Sequence, residues 1–388
     1  MIIKCDHIFS TDGLFHSGII QIRENRIEKV LFHPEDFLSE SYADSVLDAT
    51  DFYIIPGLVD IHLHGCAGSD FCDGTEASFE RIVDYEAVHG ITSIVPATMT
   101  LPKETLADLF RSVRTYREKY NRSFCGVTME GPFLSPEKKG AQDAAYICKP
   151  DISLFHFLQD ISGHSILQVA VAPEEDADFA FIKEVSSNTV VSLAHTNADY
   201  ETAIQAFAHG ATHVTHLFNA MPGFHHRNPG IIGAAFDNHS CFVELICDGI
   251  HLHPAAVRAT FALFGSDRIC MISDSMMATG MPDGTYALGG QSVTVKGNTA
   301  TLADGTIAGS VSNLYDCLKT AVLDMNLPLE DAVRSCTMTP AKSLGLEQEC
   351  GSIAEGRYAD LVFLDKDLNI CNVMKNGSFL HENMVGCD

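Results

Sequence analysis

Residues 59–65 read VDIHLHG, two histidines one residue apart at the end of the apolar run GLVDIHLH. Side chains alternate faces along an extended strand, so His62 and His64 point the same way. Such a pair can chelate one ion, or it can be the wet face of a sheet. The runs that follow carry the same character: ITSIVPA, GVTMEGP, LQVAVAPE, VVSLAHT, HVTHLFN, FVELICD and ICMISDS. Helical stretches such as EASFERIVDYEAVH and PAAVRATFALFG separate several of them. Short apolar strands alternating with helices are the pattern of a parallel α/β fold. Eight strand candidates in about 290 residues predict a (β/α)8 TIM-type barrel, somewhat larger than the usual ~250 residues.

The two ends of the chain read differently. GIIQIRENRIEKVLF (Gly18 to Phe32) is two strands around a turn, and ADLVFLD with NICNVMKNGSF near the C-terminus is another pair, Asn376-Gly377 marking a hairpin. The expected organisation is therefore residues 1–55 and 346–388 as the two parts of a small accessory β-sandwich, with the barrel at residues 56–345 between them.

Composition narrows the function. The chain has 388 residues, 46% of them hydrophobic, with 25 Lys+Arg against 51 Asp+Glu and a formal net charge of −26. Such a surface repels nucleic acid and anionic membrane, so neither is an expected partner. An anionic substrate needs its own local cations. The 13 cysteines are scattered and form no C-x-x-C pair, which argues against a disulfide framework and for a reducing cytosol. MIIKCDHIFSTDG has no basic segment followed by an apolar stretch, and no apolar run is long enough to span a bilayer. A cytoplasmic location is expected.

The strand ends carry the chemistry. His62 and His64 close the first candidate strand, Glu130 the third, His195 the fifth, His216 the sixth, Asp248 the seventh and Asp274 the eighth. In a (β/α)8 barrel the C-terminal ends of the strands build the active site. Any one strand-end histidine is more often structural than a ligand, but these strands deliver imidazoles and carboxylates to one mouth. That donor set suits a divalent ion such as zinc, iron or manganese. A carboxylate beside such an ion can take a proton from water and pass it to a leaving group. Asp274, in MISDSM, is placed for that role; its other reading is a loop carboxylate or helix cap.

PGLVDIHLHG, EGPF followed by KKGAQ, LAHTNA, THLFNAM, CDGIHLHP and SDSMMATG, in this order, resemble the amidohydrolase superfamily. Within it they look like the N-acetylglucosamine-6-phosphate deacetylases, nearly end to end, and GSIAEGRYADLVFLD resembles the shared accessory β-domain. The resemblance implies that Glu130, His195 and His216 hold the main metal and that Asp274 is the general base and acid. Members with an H-x-H pair can hold a second ion, so His62 and His64 are its candidate ligands and one or two ions per subunit are expected. The fourth strand, LQVAVAPEED, has no Lys, which speaks against the cyclic amidases that carry a carbamylated lysine there. Some relatives have His where Gln142 stands, and it helps polarise the acetyl carbonyl; here a second metal could take over that work.

The same resemblance implies a homodimer in which Arg227 reaches the neighbour's site, while His251 binds substrate in its own. It places Ala141, Asn219, Ala220 (through its backbone) and the loop Ile307, Ala308, Gly309 against the sugar. His213, His225, His226 and His253 receive no role. The implied activity is metal-dependent hydrolysis of N-acetylglucosamine 6-phosphate to glucosamine 6-phosphate and acetate. The rivals are an amidohydrolase for a cyclic amide or another N-acyl sugar, and a non-catalytic metal- or sugar-binding barrel.

Overall fold

A computed structural model describes residues 1–32, 46–120 and 122–381. Residues 33–45 and 382–388 of the expected accessory domain, and residue 121 of the expected barrel, lie outside the described residues. All eight barrel strands are present: Leu58–Asp60, Ile91–Ile94, Val127–Met129, Ile166–Val171, Val190–Leu193, His213–Val214, Phe242–Ile246 and Ile269–Ile272. The third to eighth form one parallel sheet in chain order, and the first pairs with the second in parallel. Bridges from Ile94 to Phe124 and from Ala97 to Thr128 join the second strand to the third. On the other side the Asp274 N–H donates to the His62 carbonyl at 2.9 Å and His64 N–H to Ser275 at 2.7 Å, which closes the barrel.

The strands are short and buried on both faces, as β-branched sequences such as Ile91–Ile94 and Ile269–Ile272 require of a parallel sheet covered by helices. Val59, Ile61, Val95, Ile246, Cys270 and Ile272 cluster with one another. A larger cluster joins the strands to the helices, among them Glu76–Val88 and Lys103–Lys119. The first of these starts where Thr75 accepts from the Ser78 N–H. The helix Pro254–Phe264 is capped by His253, whose ring accepts from the Ala255 N–H, and it stops at Gly265 (φ +75°).

The chain ends meet in one eight-stranded sheet in which Tyr53–Pro56 runs between Ile2–Phe9 and the C-terminal strand Leu361–Leu364. This sheet has its own core, including Ile3, Ile8, Ile20, Ile54, Leu361 and Phe363. Arg122, from the barrel, pairs with Asp360 and stacks on the Tyr358 ring, 3.4 Å from its centroid, pinning the two parts together. A three-stranded antiparallel sheet, Gly284–Leu288, Gln291–Lys296 and Thr299–Thr301, follows the eighth strand and was not expected from the sequence. Its first turn is Gly289-Gly290, both at positive φ, as a tight hairpin requires. Among the described residues no helix is long and apolar enough to cross a membrane.

Candidate metal centre and substrate cavity

Two groups of three buried side chains lie side by side at the C-terminal mouth of the barrel. Glu130, His195 and His216 bring their ligand atoms within 4.8 Å of one another, and His62, His64 and Asp274 do the same. Glu130 stands between them. Its Oε1 is 3.1 Å from His195 Nε2, 3.2 Å from His216 Nε2 and 3.6 Å from His62 Nε2, while Oε2 is 3.4 Å from His64 Nε2. Asp274 Oδ1 lies 3.2 Å from His64 Nε2 and 3.7 Å from His62 Nε2.

The far side of each ring shows which nitrogen faces the centre. His195 Nδ1 is 2.8 Å from the Lys138 carbonyl, His64 Nδ1 is 3.2 Å from the Ala97 carbonyl, and His62 Nδ1 is 3.0 Å from Glu244 Oε2. Each of these oxygens only accepts, so the rings donate through Nδ1 and turn the Nε2 lone pairs inward. His62 Nε2 is buried without a hydrogen-bond partner, and the Nε2 atoms of His195 and His216 face each other at 3.2 Å. Imidazole nitrogens and carboxylate oxygens converging at this spacing fit divalent cations with mixed imidazole and carboxylate ligands.

Electrostatics within the cluster agree. Burial pushes the Glu130 carboxyl up, but His62, His195 and His216 outweigh it and hold the group well below the ordinary carboxylate range. Burial likewise opposes ionisation of Asp274, and His64, then His62 and His216, bring it below its usual value. Burial disfavours protonation of His62, yet the Glu130 and Glu244 carboxylates raise it well above an ordinary imidazole. The acids are ready to meet a cation, and cation binding has to displace protons from the imidazoles.

A cavity of about 340 Å³ opens over the two groups. Of the residues expected around a substrate, Ala141, Asn219, Ala220, His251, Ile307 and Gly309 line it, together with Asp274. His251 Nδ1 is held at 2.7 Å by Asp248 Oδ2. Gly140, at φ +54°, lets its loop lie on His195: a Cβ there would stand 3.3 Å from the ring. Between Ile307 and Gly309, Ala308 is 0% exposed and packs its methyl group in the core with Met276 and Leu288. Arg227, expected to reach a neighbour's site, does not line this chain's own cavity; it is exposed on a neighbouring loop, where its Nη1 lies 2.7 Å from His226 Nε2.

Further side chains complete the site. Gln142 is committed on both sides, donating to Glu130 Oε2 at 2.7 Å and accepting from the Thr100 N–H at 2.7 Å. Leu288, from the unexpected hairpin, and Met99 supply apolar wall. Glu244 and Gln168 lie beneath the centre, inside the barrel.

Comparison with known proteins fits this geometry. The family model described as "Amidohydrolase family" matches residues 53–380. N-acetylglucosamine-6-phosphate deacetylase of Bacillus subtilis is 34% identical over 97% of this chain and 96% of its own. N-acetylgalactosamine-6-phosphate deacetylase of Escherichia coli O157:H7 is 31% identical over 86% of this chain and 89% of its own. A solved structure from Mycobacterium smegmatis superposes with a TM-score of 0.91 at 32% identity, covering 98% of both chains. It is a variant of N-acetyl-D-glucosamine-6-phosphate deacetylase in complex with N-acetyl-D-glucosamine-6-phosphate. The chain belongs to the amidohydrolase family, and within it groups with the N-acetylglucosamine-6-phosphate deacetylases.

Proposed function

We propose that the chain hydrolyses N-acetyl-D-glucosamine 6-phosphate to D-glucosamine 6-phosphate and acetate, in a homodimer in the cytoplasm. The observation that carries this reading is the pair of buried ligand groups sharing Glu130, set with Asp274 under a cavity of sugar-phosphate size. Glu130, His195 and His216 hold one divalent ion (zinc, iron or manganese), and His62 and His64 hold a second beside Asp274. When bound, such ions polarise a carbonyl and lower the pKa of water. Asp274, kept ionised by His64, takes the proton of the attacking water. It returns that proton to the amide nitrogen as the C–N bond breaks, so that acetate and a free amine leave. His251, oriented by Asp248, binds the sugar, and Asn219, Ala220, Ala141, Ile307 and Gly309 shape its pocket. Among the described residues lining the cavity none is Lys or Arg. A dianionic phosphate on a chain of −26 charge needs such a group, and this supports Arg227 arriving from a partner subunit.

The test is acetate release by purified protein from N-acetylglucosamine 6-phosphate, from its galactosamine isomer, and from unphosphorylated N-acetylglucosamine, before and after chelation. Turnover is expected to be metal-dependent and highest on the glucosamine phosphate. Metal-dependent turnover that prefers the unphosphorylated sugar would refute the substrate assignment; no acetate from any of the three would refute the activity.

A further inference from the structure

We propose that Glu244 is a positioning residue for the second metal site: it fixes the ring of His62 so that the Nε2 lone pair is presented to the ion. This rests on the two-ion reading above. Glu244 lies on the seventh strand, inside the barrel and 0% exposed, with the apolar side chains of Ile246 and Cys270 nearby in the same wall. A carboxylate in that place is costly unless its oxygens are satisfied. They are satisfied by groups at or beneath the centre. Oε2 takes the His62 Nδ1–H at 3.0 Å and lies 3.4 Å from the His216 N–H, and Oε1 takes the Gln168 amide at 2.7 Å.

The arrangement is directional. Gln168 donates to one oxygen and leaves the other for His62, which fixes where the carboxylate points. A carboxylate facing Nδ1 stabilises the tautomer with hydrogen on Nδ1 and strengthens the opposite nitrogen as a donor to metal. That opposite nitrogen, Nε2, is the one left buried without a partner, 3.6 Å from Glu130 Oε1 and 3.7 Å from Asp274 Oδ1. The other member of the pair is held less firmly, His64 resting on the neutral Ala97 carbonyl at 3.2 Å. His62 is the histidine with a charged support, and Glu244 supplies it. The fourth strand, where a lysine is lacking, contributes Gln168 to the same network.

Two measurements test this. The first is a Zn2+ titration of chelator-stripped protein, comparing the parent with His62→Asn and Glu244→Gln. Replacing a carboxylate behind a metal-binding histidine typically weakens the ion about 10- to 100-fold. Glu244→Gln is expected to keep the first ion at parental affinity and to weaken the second by that factor, while His62→Asn loses the second altogether. If the parent binds a single ion, the two-ion reading fails and the proposal falls with it; if His62→Asn binds both ions like the parent, His62 is not a ligand and the proposal is refuted. If His62→Asn loses the second ion but Glu244→Gln binds it at parental affinity, the reading stands and the role of Glu244 is refuted. The second measurement needs no change at Glu244, so it decides even if that variant does not fold. In Zn2+-loaded parent protein labelled with 15N-histidine, the His62 ring, assigned by its loss in His62→Asn, is expected to keep hydrogen on Nδ1, with a strongly deshielded ring proton, and to bind the ion through Nε2. An Nε2–H tautomer overturns the proposal.

Discussion

His195, His216 and Asp274 sit at φ values of 43°, 30° and 49°, in the left-handed region that side-chain-bearing residues avoid. Strain of this kind costs roughly 1–3 kcal/mol per residue and gathers at functional sites, where the surroundings hold it in place. Here each strand ends and turns away while its last side chain stays aimed at the centre. Gly309 (φ +67°) joins in, since a Cβ there would lie 3.1 Å from the Asp274 carbonyl. Asp274→Asn keeps the shape but replaces one acceptor oxygen by an amide NH2 and cannot accept a proton. It is expected to bind metal with little loss and to reduce kcat by ~10² to 10⁴-fold, measured as acetate release at saturating substrate. Near-parental kcat would remove Asp274 from proton transfer. The residues of this centre were legible because they stand at strand ends within recognisable strings. Glu244 and Gln168 were not, because a carboxylate and an amide inside apolar strands have no meaning until the strands that face them are known. Asp248 was visible as a strand end, but its role behind His251 appears only with the 2.7 Å contact.

At the scale of elements, eight short apolar runs were enough to find eight strands, since burial on both faces gives a signal that needs no partner. The hairpin sheet from Gly284 to Thr301 escaped because its strands alternate, expose one side and interrupt the βα rhythm. The sixth strand shows what alternation alone left open. His213 and His216 are an odd number of residues apart, and His213 received no role. The structure buries it completely, with its ring stacked 5.2 Å from that of Phe242. Burial lowers its pKa from 6.5 to about 4. The unfolded chain therefore takes up a proton below about pH 6.5 that the folded one refuses until about pH 4, so His213 withdraws stability as pH falls through that window and has no such effect above it. The parent is expected to lose about 2 kcal/mol between about pH 7.5 and pH 5 that His213→Leu does not lose. Chemical denaturation of both metal-free proteins at the two pH values measures the difference. Parallel pH dependences would mean that His213 is protonated in the fold.

For the whole molecule the deciding quantity is charge. A formal −26 surrounds a cavity with His251 but without Lys or Arg among its described lining residues. Arg227 is exposed on its own chain beside His226, outside that cavity. If it serves a partner's site, Arg227→Ala raises KM for the phosphorylated sugar and leaves unphosphorylated N-acetylglucosamine, already a poor substrate, almost unchanged. Loss of a charge-assisted hydrogen bond costs about 1.5–3 kcal/mol, or roughly ten- to a hundredfold in KM. Equal weakening of both sugars would make the residue structural. Subunit exchange separates the two geometries. In a hybrid of Arg227→Ala with Asp274→Asn, one site lacks both groups, while the other has Asp274 from the first subunit and Arg227 from the second. That site is complete only if the arginine crosses the interface. Mixing the two weakly active variants is then expected to restore activity at parental KM, up to half the parental rate per hybrid dimer. Verified exchange without recovery would place Arg227 in the service of its own subunit, and the phosphate would need another cation.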